Sequence, residues 1–479
     1  MSTASPNNPP AVVWFRNDLR LHDNPALQEA CARGEILPVF ILDDINAGPW
    51  ALGGASRWWL HQSLAKLRES LQGRLWLFAG DPLEILPRFM AEHHANAIYW
   101  NRSYEPWQVK RDRELKLHLE IEGIEVHSYK ANLLFEPWEN LKGDGSCYKV
   151  FTPFYRNAIQ NLPVATSPKA APQQMQIAPC AQADDSLTQL VLLSSTGWHR
   201  KLEAHWSPGE AGALNTLEHF LESGLWNYPE GRDFPAQQSV SRLSPHLRFG
   251  EVSPGQLWHA VTRQGLENGS EEQAEQFKRQ LIWREFSAAL LYHFPTISHE
   301  NMNARFDRFP WQDNDELLQR WQRGETGYPL IDAGMRELWQ TGYMHNRVRM
   351  IVGSFLVKNL RLHWHHGARW FWDCLLDADL ANNSCSWQWV AGCGTDAAPY
   401  FRIFNPLTQS QKFDPKGEYI RSYVPELSRL SDREIHEPSA LSQQTLTAAG
   451  IELGNNYPEP VVDLKASREN ALEAYQQTK

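Results

Sequence analysis

Over the first 130 residues short apolar runs alternate with amphipathic stretches, and from about residue 215 onward the pattern becomes helical. Candidate strands are 11–15, 37–42, 75–79, 97–100 and 124–129, with helical stretches near 26–33, 56–72, 82–94 and 109–123 between them. Such alternation predicts a parallel sheet with helices on both faces. No GxGxxG follows the first strand, so this is not the usual dinucleotide-binding half. Residues 163–183 are rich in Pro, Ala and Gln with almost no periodicity, and read as a surface linker. Helical spacing then fills 214–221, 272–293, 328–341, 345–361 and 368–376, and no period of 20–50 residues repeats. The expected fold class is α/β plus all-α: a doubly wound parallel-sheet domain over 1–135, a linker over 136–213 and a helical domain over 214–479.

A chain of 479 residues divides into at least two domains. No apolar run reaches eighteen residues, which argues against a membrane span. The start MSTASPNNPP lacks an apolar signal region, which argues against secretion. Six cysteines lie scattered without CxxC spacing and fit a reducing cytoplasm better than a disulfide framework or a zinc site. A net charge of −10 argues against a general nucleic-acid coat. Between Leu338 and Trp372, however, there are Arg347, Arg349, Lys358, Arg361 and Arg369 and no acids. That is either one solvated helix face or a local phosphate-facing patch. The 21 tryptophans suggest stacking or electron transfer, with a Trp-rich core as the plainer reading.

The densest chemistry lies in DADLANNSCSWQWVAGCGTDAAPYFRIFNP, residues 377–406. Asp377 and Asp379, the Asn382-Asn383 pair, Trp387 and Trp389 suit a pocket for a flat ring with polar edges. On a helix the two tryptophans point about 200° apart. On 272–293, Gln280, Trp283, Arg284 and Ser287 share one face, either a base-reading surface or an amphipathic helix with a half-buried Trp. The helix from 345 presents Asn346, Arg349 and Met350; a buried Arg349 needs a carboxylate, for which Asp377 is the candidate. Tyr228 and residues 239–245 offer hydroxyls and backbone N–H groups before a helix, as a phosphate site or a helix cap. His363, His365 and His366 make a weak metal signal and a better solvated helix end.

Several of these stretches carry a resemblance. VVWFRNDLRLHDNPAL (12–27), RDFP (232–235), SRLSPHLRFGEVSP (241–254), LIWREF (281–286), TGYPLIDAGMRELWQTGYMHNRVRM (326–350) and 377–406 are similar, in order, to the DNA photolyase and cryptochrome family. The branch they most resemble is the bacterial class I cyclobutane pyrimidine dimer photolyases. The resemblance implies an N-terminal α/β antenna domain, a C-terminal helical domain holding FAD, and light-driven repair of dimers in DNA. It assigns Tyr228, Ser241, Leu243 and Ser244 to the FAD phosphates and ribityl chain, with Val240, Arg242 and Phe277 in the same flavin-binding set. Arg349 and Asp377 would pair beside the isoalloxazine, Asn383 would sit near its N5, and Asp379 would line that pocket. Trp387, Trp364 and Trp311 match a relay carrying an electron to photoexcited flavin. Trp283 and Trp389 match aromatic walls around the dimer, with Gln280, Asn346, Met350 and Gln409 as further substrate residues. Arg232, Arg284, Arg347 and Arg402 match phosphate contacts on the rim. The partner implied is UV-damaged DNA, read with little sequence specificity by a cytoplasmic monomer; no metal is expected.

Three departures qualify the match. Gln280 stands where this branch usually has Glu, and Val240 replaces a hydroxyl residue of the flavin loop. Residues 104–108 lack the Asn-Glu pair expected for a methenyl-tetrahydrofolate antenna, which leaves folate, a deazaflavin, another flavin or no second chromophore open. A (6-4) photolyase is the nearest enzyme alternative, and Gln280 leans that way. Its expected His pair is replaced by Asn346 and Met350, which favours the dimer enzyme. A signalling cryptochrome is the alternative from another class; the roughly seventy patterned residues after Pro406 leave no long signalling tail.

Overall fold

The computed structural model describes residues 8–161, 167–182, 185–396 and 401–478. The first seven residues, Tyr400 and parts of the 163–183 linker lie outside the described residues. The chain forms two compact units. One comprises Met1–Trp226, Ser241–Pro295 and Asp377–Ala381; the other comprises Asn227–Val240, Thr296–Leu376 and Asn382–Lys479.

The first unit holds the parallel sheet. Its strands are β1 (Ala11–Phe15), β2 (Ile36–Leu42), β3 (Trp76–Ala79), β4 (Ala97–Asn101) and β5 (Glu125–Tyr129), in the order β3-β2-β1-β4-β5. Both neighbours of β1 run parallel to it, Ala11 opposing Ile36 on one side and Ala97 on the other. The apolar runs of β1 and β2 are buried throughout, as strands covered on both faces must be. Trp14, Trp76 and Trp100 pack into the core with Leu37, Ile98 and Leu115, so part of the tryptophan surplus is ordinary core.

Strand order reverses around β1, the place where open α/β sheets bind ligands. Polar groups of the chain pair with one another at the ends of these strands. Asp18 accepts from the Arg16 N–H and from Asn101 Nδ2, each at 2.6 Å. Asn101 also donates to Asn24, whose side chain caps the Pro25–Arg33 helix through the Leu27 N–H. The same unit carries Pro254–Asn268, opened by a Ser253/Gln256 capping box, and the 23-residue Glu271–His293 helix.

The second unit is helical. Pro329–Thr341 is preceded by a fixed turn: buried Asp332 accepts from the Thr326 N–H and hydroxyl, the Gly327 N–H and Tyr457 Oη. The expected 345–361 helix runs regularly over Asn346–Ser354 and then widens into a π-helical turn, Phe355–Asn359. Lys358 lies in that turn, 1% exposed, with Nζ donating to the Ala391 carbonyl at 2.6 Å. The basic run 338–372 is thus not one phosphate-facing surface: its central lysine is internal, and burial drives its pKa well below the usual lysine value.

Candidate functional site

In the first unit the loop Ser241–Ser244 turns on Arg242, whose φ of 54° is left-handed. A left-handed residue beside a right-handed one turns successive N–H groups to the same side, a shape suited to anions. The Arg242 guanidinium is held 4.3 Å from the Trp206 ring centroid. The Leu243 N–H reaches Ser241 Oγ at 3.4 Å, and Ser244 opens the Ser244–Arg248 helix with Pro245 behind it.

The unbroken Glu271–His293 helix keeps Gln280, Trp283, Arg284 and Ser287 on one face, as their spacing required. Phe277 is buried against Phe220. Gln280 is half-buried, with Nε2 donating to the Gln276 carbonyl at 3.3 Å. Trp283 stacks on Phe151 with centroids 3.6 Å apart and planes 6° from parallel. Arg284, expected on the DNA rim, donates to the Asn132 carbonyl at 2.6 Å. Its neighbour Glu285 accepts from the Leu134 N–H, and burial pushes this carboxyl up to about 7.

Asp377 and Asp379 follow in the short segment that belongs to this unit. Arg248 Nε holds the peptide between them by donating to the Ala378 carbonyl at 2.6 Å. Arg248 also pairs with Glu105 at 3.6 Å, and burial raises the Glu105 carboxyl. A cavity of about 60 Å³ lies here, lined by Tyr104, Gln108, Asn132, Arg248, Arg284 and Asp379 among others. Among the described residues the buried Gln108 Oε1 has no hydrogen-bond partner. That volume is room for about two waters rather than a pteridine.

The second unit gathers the basic residues near 230 and 347. Tyr228 is buried, which raises its phenol, and the Arg232 guanidinium lies 5.3 Å from its ring centroid. Val240 is half-buried. Asp233 pairs with Arg347 at 2.8 Å, and Arg347 also lies over Phe413. Arg349 donates from Nε to the Met344 carbonyl at 2.7 Å and lies over Tyr343. Asn346 is exposed one turn from half-buried Met350. Sequence reasoning missed His345, which caps this helix by accepting from the Arg347 N–H at 3.2 Å. Burial holds its imidazole down to about 4, against the pull of Asp233. The signal available was its place directly before the first helical residue.

On Leu380–Ala391, Asn383 Nδ2 donates to the Ala368 carbonyl at 3.0 Å, which fixes the plane of its amide. Trp387 and Trp389 diverge as their spacing required. Trp387 is buried against Phe371 and Trp321; Trp389 is half-buried, with Nε1 on the Asp396 carbonyl. Gly367 makes room for Trp387, since a Cβ there would stand 2.0 Å from the indole. Trp364 is fully buried, with Nε1 donating to Asn301 Oδ1, and Trp311 is half-buried. Arg402 is exposed and Gln409 half-buried on Pro406–Phe413. Among the described residues no group of His, Cys, Asp and Glu could hold a metal ion.

Comparison with known proteins agrees with this arrangement. Residues 11–173 match the family described as DNA photolyase, and residues 277–477 match the FAD binding domain of DNA photolyase. A deoxyribodipyrimidine photo-lyase of Agrobacterium fabrum is 45% identical over 97% of each chain. Cryptochrome-1 of Arabidopsis thaliana is 37% identical over 98% of this chain and 70% of its own. A crystal structure titled as a bacterial class III photolyase from Agrobacterium tumefaciens superposes with a TM-score of 0.94, 44% identity and 99% and 98% coverage. The family expectation holds, and this neighbour belongs to class III rather than the expected class I. A sheet segment followed by a flavin segment, with identity running nearly end to end, places this chain in the DNA photolyase family, and residues 277–477 are its FAD-binding domain.

Proposed function

We propose that this chain is a deoxyribodipyrimidine photo-lyase, which splits cyclobutane pyrimidine dimers in UV-damaged DNA under blue light. The observation that carries this reading is 45% identity to a deoxyribodipyrimidine photo-lyase over 97% of both chains, higher than to the cryptochrome. The residues present fit FAD. The left-handed turn at Arg242, the Ser241 hydroxyl and the N–H groups of 242–244 suit its phosphates, alongside Tyr228 and Phe277. Arg349, Asp377, Asp379 and the fixed amide of Asn383 are assigned to its ring. Bound and fully reduced FAD supplies, when excited, the one electron that opens the strained dimer.

The lesion leaves the duplex at a cost of a few kcal/mol, less for a damaged pair. Stacking on Trp283 and Trp389 offsets this at roughly 1–3 kcal/mol per base. Gln280, Asn346, Met350 and Gln409 meet the dimer, while Arg232, Arg347 and Arg402 take phosphates. Arg284 serves through its bond to Asn132. Trp311, Trp364 and Trp387 pass an electron inward to regenerate the reduced flavin. The second chromophore is left open among folate, a deazaflavin, another flavin and none. The proposed domains are an antenna domain over 1–135, a linker over 136–213 and the catalytic domain over 214–479. The protein is proposed to act as a monomer in the cytoplasm, a setting supported by six cysteines scattered without CxxC spacing. No described helix is long and apolar enough to cross a membrane.

The test is blue-light repair by purified protein with chemically reduced flavin. An oligonucleotide with one thymine cyclobutane dimer and another with a (6-4) lesion serve as substrates, with dark controls. Light-dependent recovery of thymine absorbance on the dimer alone is expected. Protein that binds FAD yet repairs neither lesion would move the light-sensor reading to the front.

A further inference from the structure

The histidines at 363, 365 and 366 stand half-buried at the start of the Trp364–Cys374 helix, and two of them pack against tryptophans. The His363 ring lies 29° from parallel to Trp364, with centroids 5.7 Å apart, and edge-on to Trp311 at 4.9 Å. Among the described residues no ring contact joins Trp364 to Trp311 directly, so His363 is the aromatic link between them. His365 closes on the same group, 4.0 Å from Trp364 and 4.3 Å from His363. Further in, Trp387 rests on Gly367, one turn along the helix that Trp364 opens.

His363 is also held in one orientation. Its Nδ1 accepts from the His365 N–H at 3.2 Å and caps the Trp364–Cys374 helix, which leaves the proton of the neutral ring on Nε2. The groups facing it are His365, His366 and Arg369 on its own helix side and Asp307 opposite. Burial first, and then the neighbouring His365, His366 and Arg369, lowers the imidazole to about 4 against the pull of Asp307, so at neutral pH the ring between the two indoles carries no charge.

We propose that His363 is the bridge by which an electron crosses from Trp311 to Trp364, and that its neutral form keeps that crossing open. This rests on the reading that Trp387, Trp364 and Trp311 carry electrons to the flavin. One electron moves per event, and no bond forms or breaks at His363. Positive charge passes from Trp364 to Trp311; the flavin is the acceptor at the inner end and an added thiol refills Trp311 at the outer end. An imidazolium in the same place would oppose positive charge on either indole at short range, whereas the neutral ring does not.

The experiment is flash excitation of full-length protein carrying oxidised FAD, with transient absorption of the indole radicals. His363→Asn keeps an acceptor for the His365 N–H and removes the ring. It should lower the yield of the long-lived Trp311 radical several-fold, while His363→Phe, which restores a ring, should recover most of it. The titration of the His363 ring, followed by NMR in the wild-type protein, gives a second readout: radical yield should fall in step with its protonation. An unchanged yield in His363→Asn, or a yield indifferent to that protonation, overturns the bridge. Trp387→Phe separates the two readings. If it blocks photoreduction while His363→Asn is silent, only the bridge falls; if photoreduction survives it, the relay falls and takes the bridge with it.

Discussion

The indole of Trp283 lies flat on Phe151, 3.6 Å from centroid to centroid and 6° from parallel. Phe151 is buried at the start of its own helix, so it fixes the plane of Trp283 from one side. A platform ordered in advance loses little rotamer freedom when a base stacks on it.

Trp283→Ala should therefore weaken binding to dimer-containing DNA by about 1–3 kcal/mol, with a much smaller loss on undamaged duplex. Equilibrium binding to matched oligonucleotides measures both. Equal losses on the two DNAs would remove the stacking role and leave Trp283 as packing for Phe151.

Gly367→Ala tests the packing of Trp387. The added methyl would meet the indole at 2.0 Å, and the backbone of the Trp364–Cys374 helix cannot yield that distance cheaply. A stability loss of about 1–3 kcal/mol is expected in urea unfolding, together with slower flavin photoreduction because the indole is pushed from its seat. Wild-type photoreduction in a destabilised variant would show that the position of Trp387 is not critical to electron transfer.

Glu285 gives a pH test. Its ordinary pKa of 4.5 is raised to about 7 by burial, against Arg284 and the Phe135 and Leu134 N–H groups. The folded state thus holds this proton more tightly than the unfolded chain does. The stability it contributes is complete below the unfolded value and drains away as pH rises to about 7. Glu285→Gln keeps a carbonyl for the Leu134 N–H and cannot ionise. Relative to wild type, the variant should gain about 2–3 kcal/mol between about pH 5 and about pH 8. A constant difference across that range would mean that Glu285 does not titrate there.

Much of this was legible in the sequence, because the sheet residues obey local rules. Short apolar runs alternating with helical patterns point to a parallel sheet covered on both faces, and β1, β2 and β4, buried throughout, lie on such runs. The helical stretches read at 26–33 and 82–94 likewise fall on the helices Pro25–Arg33 and Pro82–Glu92. What escaped were contacts between residues distant in sequence. Nothing near Phe151 marks it as the backing of Trp283, and nothing near Arg248 marks it as the clamp on the Asp377–Asp379 peptide. Arg284 looked like a phosphate ligand because its helical face was read without knowledge of Asn132. Lys358 read as surface charge because the π-helical turn that rotates it inward has no local signature.

Gln280 remains the sharpest question that the residues pose for the chemistry. It is half-buried one turn before Trp283, and its Nε2 is already engaged by the Gln276 carbonyl of its own helix. An amide there can donate to a carbonyl on the dimer edge through its other N–H, with the Gln276 bond setting the direction in which that N–H points. A carboxylate has no N–H to spend on Gln276 and would accept from the N–H groups that flank the dimer carbonyls. Gln280→Glu should thus keep or raise the dimer repair rate, with a stability change within about 0.5 kcal/mol, as expected of a helix position away from the core. Single-turnover repair on dimer and (6-4) oligonucleotides separates the possibilities. A faster dimer reaction with no (6-4) activity would show that the amide limits rate and does not select the lesion. New (6-4) repair in the variant would instead overturn the assignment of this chain to the dimer enzymes, since a single atom exchange could not create that activity in a pocket built for another lesion.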